Sequence, residues 1–183
     1  MSEQSQRFRR VAAEFTAKVD GVPEGAWDSP APVEGWVARD VVRHLVEWMP
    51  SLFYGAWGLD GGDPPSADED PAGAWAAMRD TFQAALDDPA VADEVRDLPP
   101  GSMTFAAAVD MLATNDVFMH TWDLARATGQ DERLDPDEVH DLLVGMEPMD
   151  EMLRQSGHYG PRVPVPDDAD EQTRLIAFIG RHP

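Results

Sequence analysis

Apolar residues recur at three- and four-residue intervals along most of the chain, which is the spacing of an amphipathic α-helix. The pattern predicts one helix over residues 3–21, a second that begins near Val37 and a third that contains Trp75 and Leu86. A fourth helix is predicted over about 104–128. These four segments are long enough to form a helical bundle.

The fourth predicted helix has more than one apolar face. Phe105 and Val109 mark one face, and Met111, Phe118 and Trp122 mark another. A helix that is apolar on most sides is buried among its neighbours, so we expect this helix at the centre of the bundle.

The rest of the chain divides into short helices and connections rich in proline and glycine. Residues 136–155 predict a further helix with a break near Pro148, and residues 170–180 predict a short final one. The segments 23–36 and 58–71 are dense in Pro, Gly and Asp and are predicted to be loops.

Strand signals are weak, because no run alternates cleanly or is rich in β-branched residues. Residues 87–103 therefore predict a polar connection, after which Ser102 or Thr104 could cap the fourth helix. We predict an all-α fold, a four-helix bundle with crossover connections and extra short C-terminal helices, in a single domain over residues 1–183.

The charge balance narrows the classes of partner. Fourteen Lys and Arg stand against 35 Asp and Glu, which gives a formal net charge of −21. Such a chain repels phosphate backbones and anionic lipid heads, so we expect neither nucleic-acid nor membrane binding. No apolar run approaches the roughly 20 residues that span a bilayer, and the first ten residues lack an apolar signal core, so a cytoplasmic location is the simplest.

Cysteine is absent from the sequence. That excludes disulfides, thiolate metal sites, iron–sulfur clusters and a cysteine nucleophile. Any thiol chemistry must therefore use a thiol brought in by a co-substrate.

Three polar residues fall where the helical pattern predicts core. Asp116 and His120 are four residues apart on the fourth helix, so their side chains are neighbours on one face. His44 lies on the apolar stripe of the second helix. Two imidazoles and a carboxylate would suit a divalent metal with open coordination positions; zinc fits, and nickel, iron or manganese also accept such ligands.

Two further residues could support this site. Asp123 lies one turn beyond His120, where it could orient an imidazole from outside the metal shell or pair with Arg126. Glu47 lies one turn after His44 and is a weak candidate for a catalytic base. The alternative interpretation makes Asp116 and His120 a buried ion pair, with His44 a structural residue of the core.

Three segments resemble a known family. They are EGWVARDVVRHLVEW at 34–48, NDVFMHTWDLARATGQ at 115–130 and MEPMDEMLRQSGHYGPRVPVPDDADEQTRLIAFIGR at 146–181. Together they are similar to the DinB-like metal-binding proteins, and more closely to the N-terminal-domain family of mycothiol-dependent maleylpyruvate isomerase in its single-domain actinobacterial branch.

This resemblance implies a bundle with a divalent metal in its core, held by the residues that match the family pattern: His44, Asp116 and His120. It also implies mycothiol as a co-substrate, whose thiol binds the metal and is presented as a thiolate. The chain departs from the isomerase in having Asp116 where the isomerase has Glu, and Val37 where a Ser or Thr cap is usual. The isomerase also has a C-terminal domain for which 183 residues leave no room, so we do not expect maleylpyruvate isomerisation itself.

Three functional hypotheses follow. The leading one is a metal-dependent, mycothiol-dependent transferase or isomerase whose partners are a low-molecular-weight thiol and a small electrophile, with its cavity among the first, second and fourth helices. The second is a metal-assisted hydrolase with Glu47 as base. The third is a non-enzymatic metal- or ligand-binding module. A homodimer is left open, as is the choice among the arginines that could contact a cofactor: Arg39, Arg43, Arg126 and Arg162.

Overall fold

The computed structural model describes residues 1–98, 101–157 and 159–183. Within them the predicted all-α class is confirmed, since helices account for most of the secondary structure. The chain divides into two compact units, Met1–Gln130 and Asp131–Pro183. The single domain over 1–183 stays a prediction. His158, which its sequence context places in a loop, lies outside the described residues.

The N-terminal unit is built on four long helical segments close to the predicted ones. They are α1 (Glu3–Asp20), α2 (Ala38–Trp57), α3 (Pro71–Asp87) and a composite helix of α5 (Phe105–Ala108), a π-helical segment (Val109–Thr114) and α6 (Asn115–Thr128). A single turn, α4 (Pro89–Ala92), follows α3. Both α1 and α2 pack against α3 and against α6. The four long segments therefore enclose one core.

Aromatic rings fill the centre of this core. Phe53 of α2 has its ring centroid 5.1 Å from that of Phe82 and 5.9 Å from that of Phe105. All three side chains are fully buried. Burial of rings of this size is the main source of stability in a unit without disulfides or cysteine ligands.

The start of α2 is set by the chain that precedes it. Pro30 and Val37 form an isolated antiparallel bridge, and Gly35 between them has a φ of 80°, which favours glycine. The Asp40 carboxylate accepts from the Val37 N–H at 2.8 Å. Valine has no side-chain acceptor for the opposite bond, so only half of a capping box is present, as the sequence predicts.

The prediction of a purely polar connection over 87–103 is wrong. Strand β1 (Val95–Leu98) pairs antiparallel with β2 (Gly101–Thr104), with Val95 opposite Thr104. Each strand has only four residues, too few for an alternating pattern to stand out in the sequence. Thr104 caps α5 by accepting from the Ala107 N–H at 3.1 Å, which confirms one of the two proposed caps.

The predicted fourth helix has the expected span, but it is not a uniform α-helix. Its π-helical segment contains one more residue per turn than the α-helical ladder, so a helical wheel drawn through 104–128 misplaces part of the chain. Met111, which that wheel assigns to an apolar face, is 46% exposed. The neighbouring Val109 is fully buried.

The C-terminal unit contains α7 (Pro136–Met146), a 3₁₀ turn (Glu147–Met149), α8 (Asp150–Gln155) and α9 (Glu171–Phe178). The predicted break at Pro148 is confirmed by the 3₁₀ turn. Helix α7 packs against α9, whose Leu175 and Ile176 are fully buried. Among the described helices of the whole chain, none is long and apolar enough to cross a membrane.

A pH-sensitive contact joins α7 to α9. His140 Nδ1 lies 3.0 Å from the Glu171 carboxylate, and this hydrogen bond, reinforced by the carboxylate charge, raises the pKa of His140. Because the folded-state pKa is raised, the contact stabilises fully below the unfolded-state pKa and is lost as pH rises through the folded-state value.

Replacing Glu171 with Gln should therefore lower the pKa of His140 toward its ordinary value. The measurement is an NMR titration of the imidazole signals in the wild type and Glu171→Gln. Identical titration curves in the two proteins would contradict the contact.

Candidate metal centre

Three side chains converge between α2 and α6. His44 projects from α2, while Asp116 and His120 project from successive turns of α6. His44 Nε2 lies 3.2 Å from Asp116 Oδ2, and His120 Nε2 lies 3.6 Å from Asp116 Oδ1. One ligand atom of each residue lies within 4.8 Å of the other two. The structure thus brings together the three residues that the sequence pattern selected.

A tryptophan holds the carboxylate of this group. The indole N–H of Trp48, one helical turn beyond His44, donates to Asp116 Oδ2 at 2.8 Å. Burial alone would raise the pKa of Asp116, but the charge on His120 and the hydrogen bonds from His44 and Trp48 together lower it below its ordinary value. Asp116 is therefore favoured as an anion.

A second carboxylate holds His120 from behind. Asp123 Oδ2 lies 2.8 Å from His120 Nδ1, and the Asp123 side chain is fully buried. A carboxylate on Nδ1 fixes a proton there, so a metal would take Nε2, on the Asp116 side, in place of the proton that Nε2 carries in the charged imidazole. Of the two roles considered for Asp123, the structure shows contact with the imidazole.

Trp36 covers the two imidazoles. Its ring centroid lies 5.9 Å from that of His120, with the planes 20° apart, and 5.1 Å from that of His44. It reaches this position because the Pro30–Val37 bridge and the turn at Gly35 place residue 36 beside the first turn of α2. The indole limits access to rings whose own exposure is unequal: 34% for the His44 side chain and 6% for that of His120.

The donor set and its spacing fit a divalent cation. Metal–ligand bonds of about 2.0–2.2 Å put neighbouring ligand atoms about 3–3.5 Å apart, and the two contacts to Asp116 measure 3.2 and 3.6 Å. Two imidazole nitrogens and one carboxylate oxygen leave coordination positions for further ligands. The residues present could therefore hold a metal once their ligand atoms, which lie within 4.8 Å of one another, draw closer together.

Comparison with known proteins assigns the chain to a family. Residues 8–52 match the model of the mycothiol maleylpyruvate isomerase N-terminal domain. Two uncharacterized proteins of Mycobacterium tuberculosis, from strains CDC 1551 / Oshkosh and H37Rv, are each 31% identical over 184 residues, covering 94% of this chain and 94% of the relative. This chain belongs to the mycothiol maleylpyruvate isomerase N-terminal domain family. No solved structure matches it.

The family match and the site overlap in part. The matched segment contains His44, whereas Asp116 and His120 lie beyond it. Their grouping with His44 rests on the geometry described above. The family match therefore covers one of the three grouped residues, and the geometry supplies the other two.

Glu47 is not one of the three grouped residues. It is exposed and lines a pocket of about 270 Å³ bounded by α2, α3 and the segment 61–68, a wall that includes none of the three grouped residues. This pocket beside the 58–71 loop lies against α2 and α3, and the cavity expected among the first, second and fourth helices stays a prediction.

The four candidate arginines make other contacts. Arg39 donates to the Asp68 carbonyl oxygen at 2.5 Å, and Arg43 pairs with Asp40 and Asp68. Arg126 lies over the Trp122 ring at 5.1 Å, and Arg162 over the Phe178 ring at 4.6 Å. None of these contacts selects a cofactor-binding arginine.

Sequence reasoning missed Trp36. It lies in a loop, outside any helical period, and only the Gly immediately before it hinted at a special turn. Trp48 was visible as a member of the α2 stripe, but its indole N–H gains a role only when α6 is packed opposite.

The Trp48–Asp116 hydrogen bond can be tested with Trp48→Phe, which keeps an aromatic ring and removes the donor. The pKa of Asp116 should rise toward its ordinary value. A depressed folded-state pKa contributes stability above the unfolded-state pKa, and that contribution is lost as pH falls through the folded-state value. The variant should therefore lose about 1.5–3 kcal/mol at neutral pH, with less difference from wild type in acid.

Denaturant unfolding of chelator-treated protein, at neutral and acid pH, measures this loss. Trp75→Phe is a matched control, since its indole N–H donates to a neutral acceptor, Thr16 Oγ1, at 2.8 Å. Its loss should be independent of pH. A pH-independent loss in Trp48→Phe as well would count against the charged hydrogen bond.

Proposed function

We propose that this protein is a metal-dependent transferase or isomerase that uses mycothiol as a thiol co-substrate against a small electrophile. The observation that carries the proposal is the convergence of His44, Asp116 and His120 within 4.8 Å, in a chain of the mycothiol-related family. We assign these three residues as ligands of a divalent metal, zinc first among the candidates, with nickel, iron and manganese as alternatives.

The chain's own residues prepare the site. The Asp123 carboxylate keeps a proton of His120 on Nδ1, the Trp48 N–H holds Asp116 Oδ2 in place, and the Trp36 ring lies against that of His120. A divalent metal bound there would lower the pKa of a thiol ligand, as it does for bound water. Since the chain has no cysteine, the sulfur nucleophile must come from the co-substrate.

In a transfer reaction the thiol releases its proton to water, its sulfur forms a bond to the electrophilic carbon, and the leaving group departs from that carbon with its electron pair. In an isomerisation the same sulfur adds to a conjugated carbon and is later expelled, so the thiol is regenerated. Both courses need only the thiol and the electrophile as reactants.

The two alternatives have less support. A metal-assisted hydrolase needs a base at the site, and Glu47 lines the separate pocket described above. A non-enzymatic module would retain the polar cluster without holding metal. Metal content separates that alternative from the proposal.

Purified wild-type protein, prepared without added metal or chelator, should contain close to one divalent metal per chain by mass spectrometry. His120→Ala should lose it. Asp123→Asn keeps all three ligands but disturbs the proton on His120, so its affinity should fall by about 10–100-fold. His140→Ala is the matched control, because His140 is exposed and bound to Glu171 in the other compact unit.

Retention of metal by His120→Ala would overturn the ligand assignment. A wild-type protein that neither contains metal nor takes up zinc or nickel would favour the non-enzymatic module.

Thiol use is tested separately with the cobalt-loaded protein. Mycothiol should produce a saturable thiolate-to-cobalt absorption band, absent from His120→Ala and unchanged in His140→Ala. With 1-chloro-2,4-dinitrobenzene as electrophile, mycothiol should be consumed and chloride released. Metal-loaded protein that shows neither the band nor turnover with a panel of electrophiles would contradict thiol activation.

A further inference from the structure

The helix that carries Asp116 and His120 is widened immediately before them. The π-helical segment ends at Thr114, and Asp116 is the second residue after it. A π turn accommodates one residue more than an α turn, and one residue corresponds to about 100° of rotation around an α-helix. The direction in which Asp116 and His120 point relative to the upstream helix therefore depends on this wide turn.

Side chains hold three successive carbonyl groups of the wide turn. Thr114 Oγ1 donates to the Val109 carbonyl oxygen at 3.1 Å, and Asn115 Nδ2 donates to that of Met111 at 3.0 Å. Between them, the Asp110 carbonyl oxygen accepts from Arg7 Nη1 at 3.2 Å. Arg7 is the only one of these three donors that comes from another helix, α1.

Arg7 also joins the two ends of the turn. Its Nη1 donates to Asp110 Oδ1 at 2.9 Å, and its Nη2 donates to Asn115 Oδ1 at 2.8 Å. The Arg7 side chain is 19% exposed, so these bonds are largely shielded from water. A planar guanidinium can make them together, because its N–H groups have fixed relative directions.

We propose that Arg7 is a positioning residue for the metal centre: it holds the π turn, and through that turn the rotation that directs Asp116 and His120 toward His44. The inference rests on the proposed metal-binding function.

The packing on both sides of the turn shows what would change if the turn relaxed. Val109 at the start of the turn and Val117 beyond it are both fully buried. Relaxing the turn to a regular α-helix would rotate one side relative to the other. Val109 or Val117 would then leave its buried position, or the turn that carries Asp116 and His120 would rotate instead. The bonds from Arg7 to this helix end on Asp110 and Asn115, so its influence on Asp116 and His120 passes through these two residues.

Arg7→Met tests the clamp by keeping the aliphatic stem and removing every donor. The matched control is Arg9→Met on the same helix, which removes an ion pair to Asp87 of α3 instead. Zinc affinity is measured by competition with a chromophoric chelator, and site geometry by the visible spectrum of the cobalt-loaded protein. We expect Arg7→Met to bind zinc about 10–100-fold more weakly with an altered cobalt spectrum. Arg9→Met should match wild type in both, whatever its melting temperature.

Arg7→Lys should lie between wild type and Arg7→Met, because a lysine can keep one of the bonds but cannot bridge both ends. Arg7→Met combined with Asn115→Ala should weaken zinc binding by less than the product of the single effects, since both break the same clamp. Wild-type zinc affinity and cobalt spectrum in Arg7→Met would overturn the inference.

A second readout needs no metal. In the metal-free proteins, NMR signals of the His120 ring and the Asp116 carboxyl should shift in Arg7→Met and not in Arg9→Met. If wild type binds no metal, the proposed function fails, and these shifts still decide the positioning role. Unchanged His120 and Asp116 signals in a folded Arg7→Met protein would refute it.

Discussion

The candidate site depends on the carboxylate of Asp116, which lies between helices α2 and α6. Taking Asp116 out of water costs several kcal/mol unless charges and donors compensate it. The compensation here comes from both helices: His44 and Trp48 on α2, and His120 on α6. Because each partner is needed to keep the anion in place, the packing of α2 against α6 and the chemistry of the cluster are the same feature of the molecule.

The other unusual features of the N-terminal unit surround this carboxylate. The bridge before α2 places Trp36 against the imidazoles. The π turn before α6 ends two residues before Asp116. Asp123 fixes the far nitrogen of His120 from a fully buried position. Loops, wide turns and buried charges each reduce stability when alone, and features of this kind tend to be concentrated at functional sites, which is why the proposed function is placed here.

The geometry by itself leaves the chemistry open. A His–Asp–His group accommodates several metals and several reactions, and fold alone does not choose among them. Membership of a mycothiol-related family, in a chain without cysteine, is the reason for proposing an external thiol as the reacting group. The acidic surface agrees with a small neutral or cationic partner better than with a polyanion.

The sequence determined much of this protein because its signals are local. The helical period predicted α1, α2 and α3. The four-residue spacing predicted that Asp116 and His120 are neighbours, and the apolar stripe of α2 indicated His44. Short-range patterns could not show the hairpin, because its two strands of four residues are defined by their pairing. They also could not show the π turn, so the helical wheel assigned Met111 to the wrong face. The contacts of Trp36, Trp48 and Arg7 form only when segments that are distant in the sequence pack together. Hydrophobic period fixes which face of a helix is buried, but the partner of a buried polar group is decided by tertiary packing, because that partner is distant in sequence.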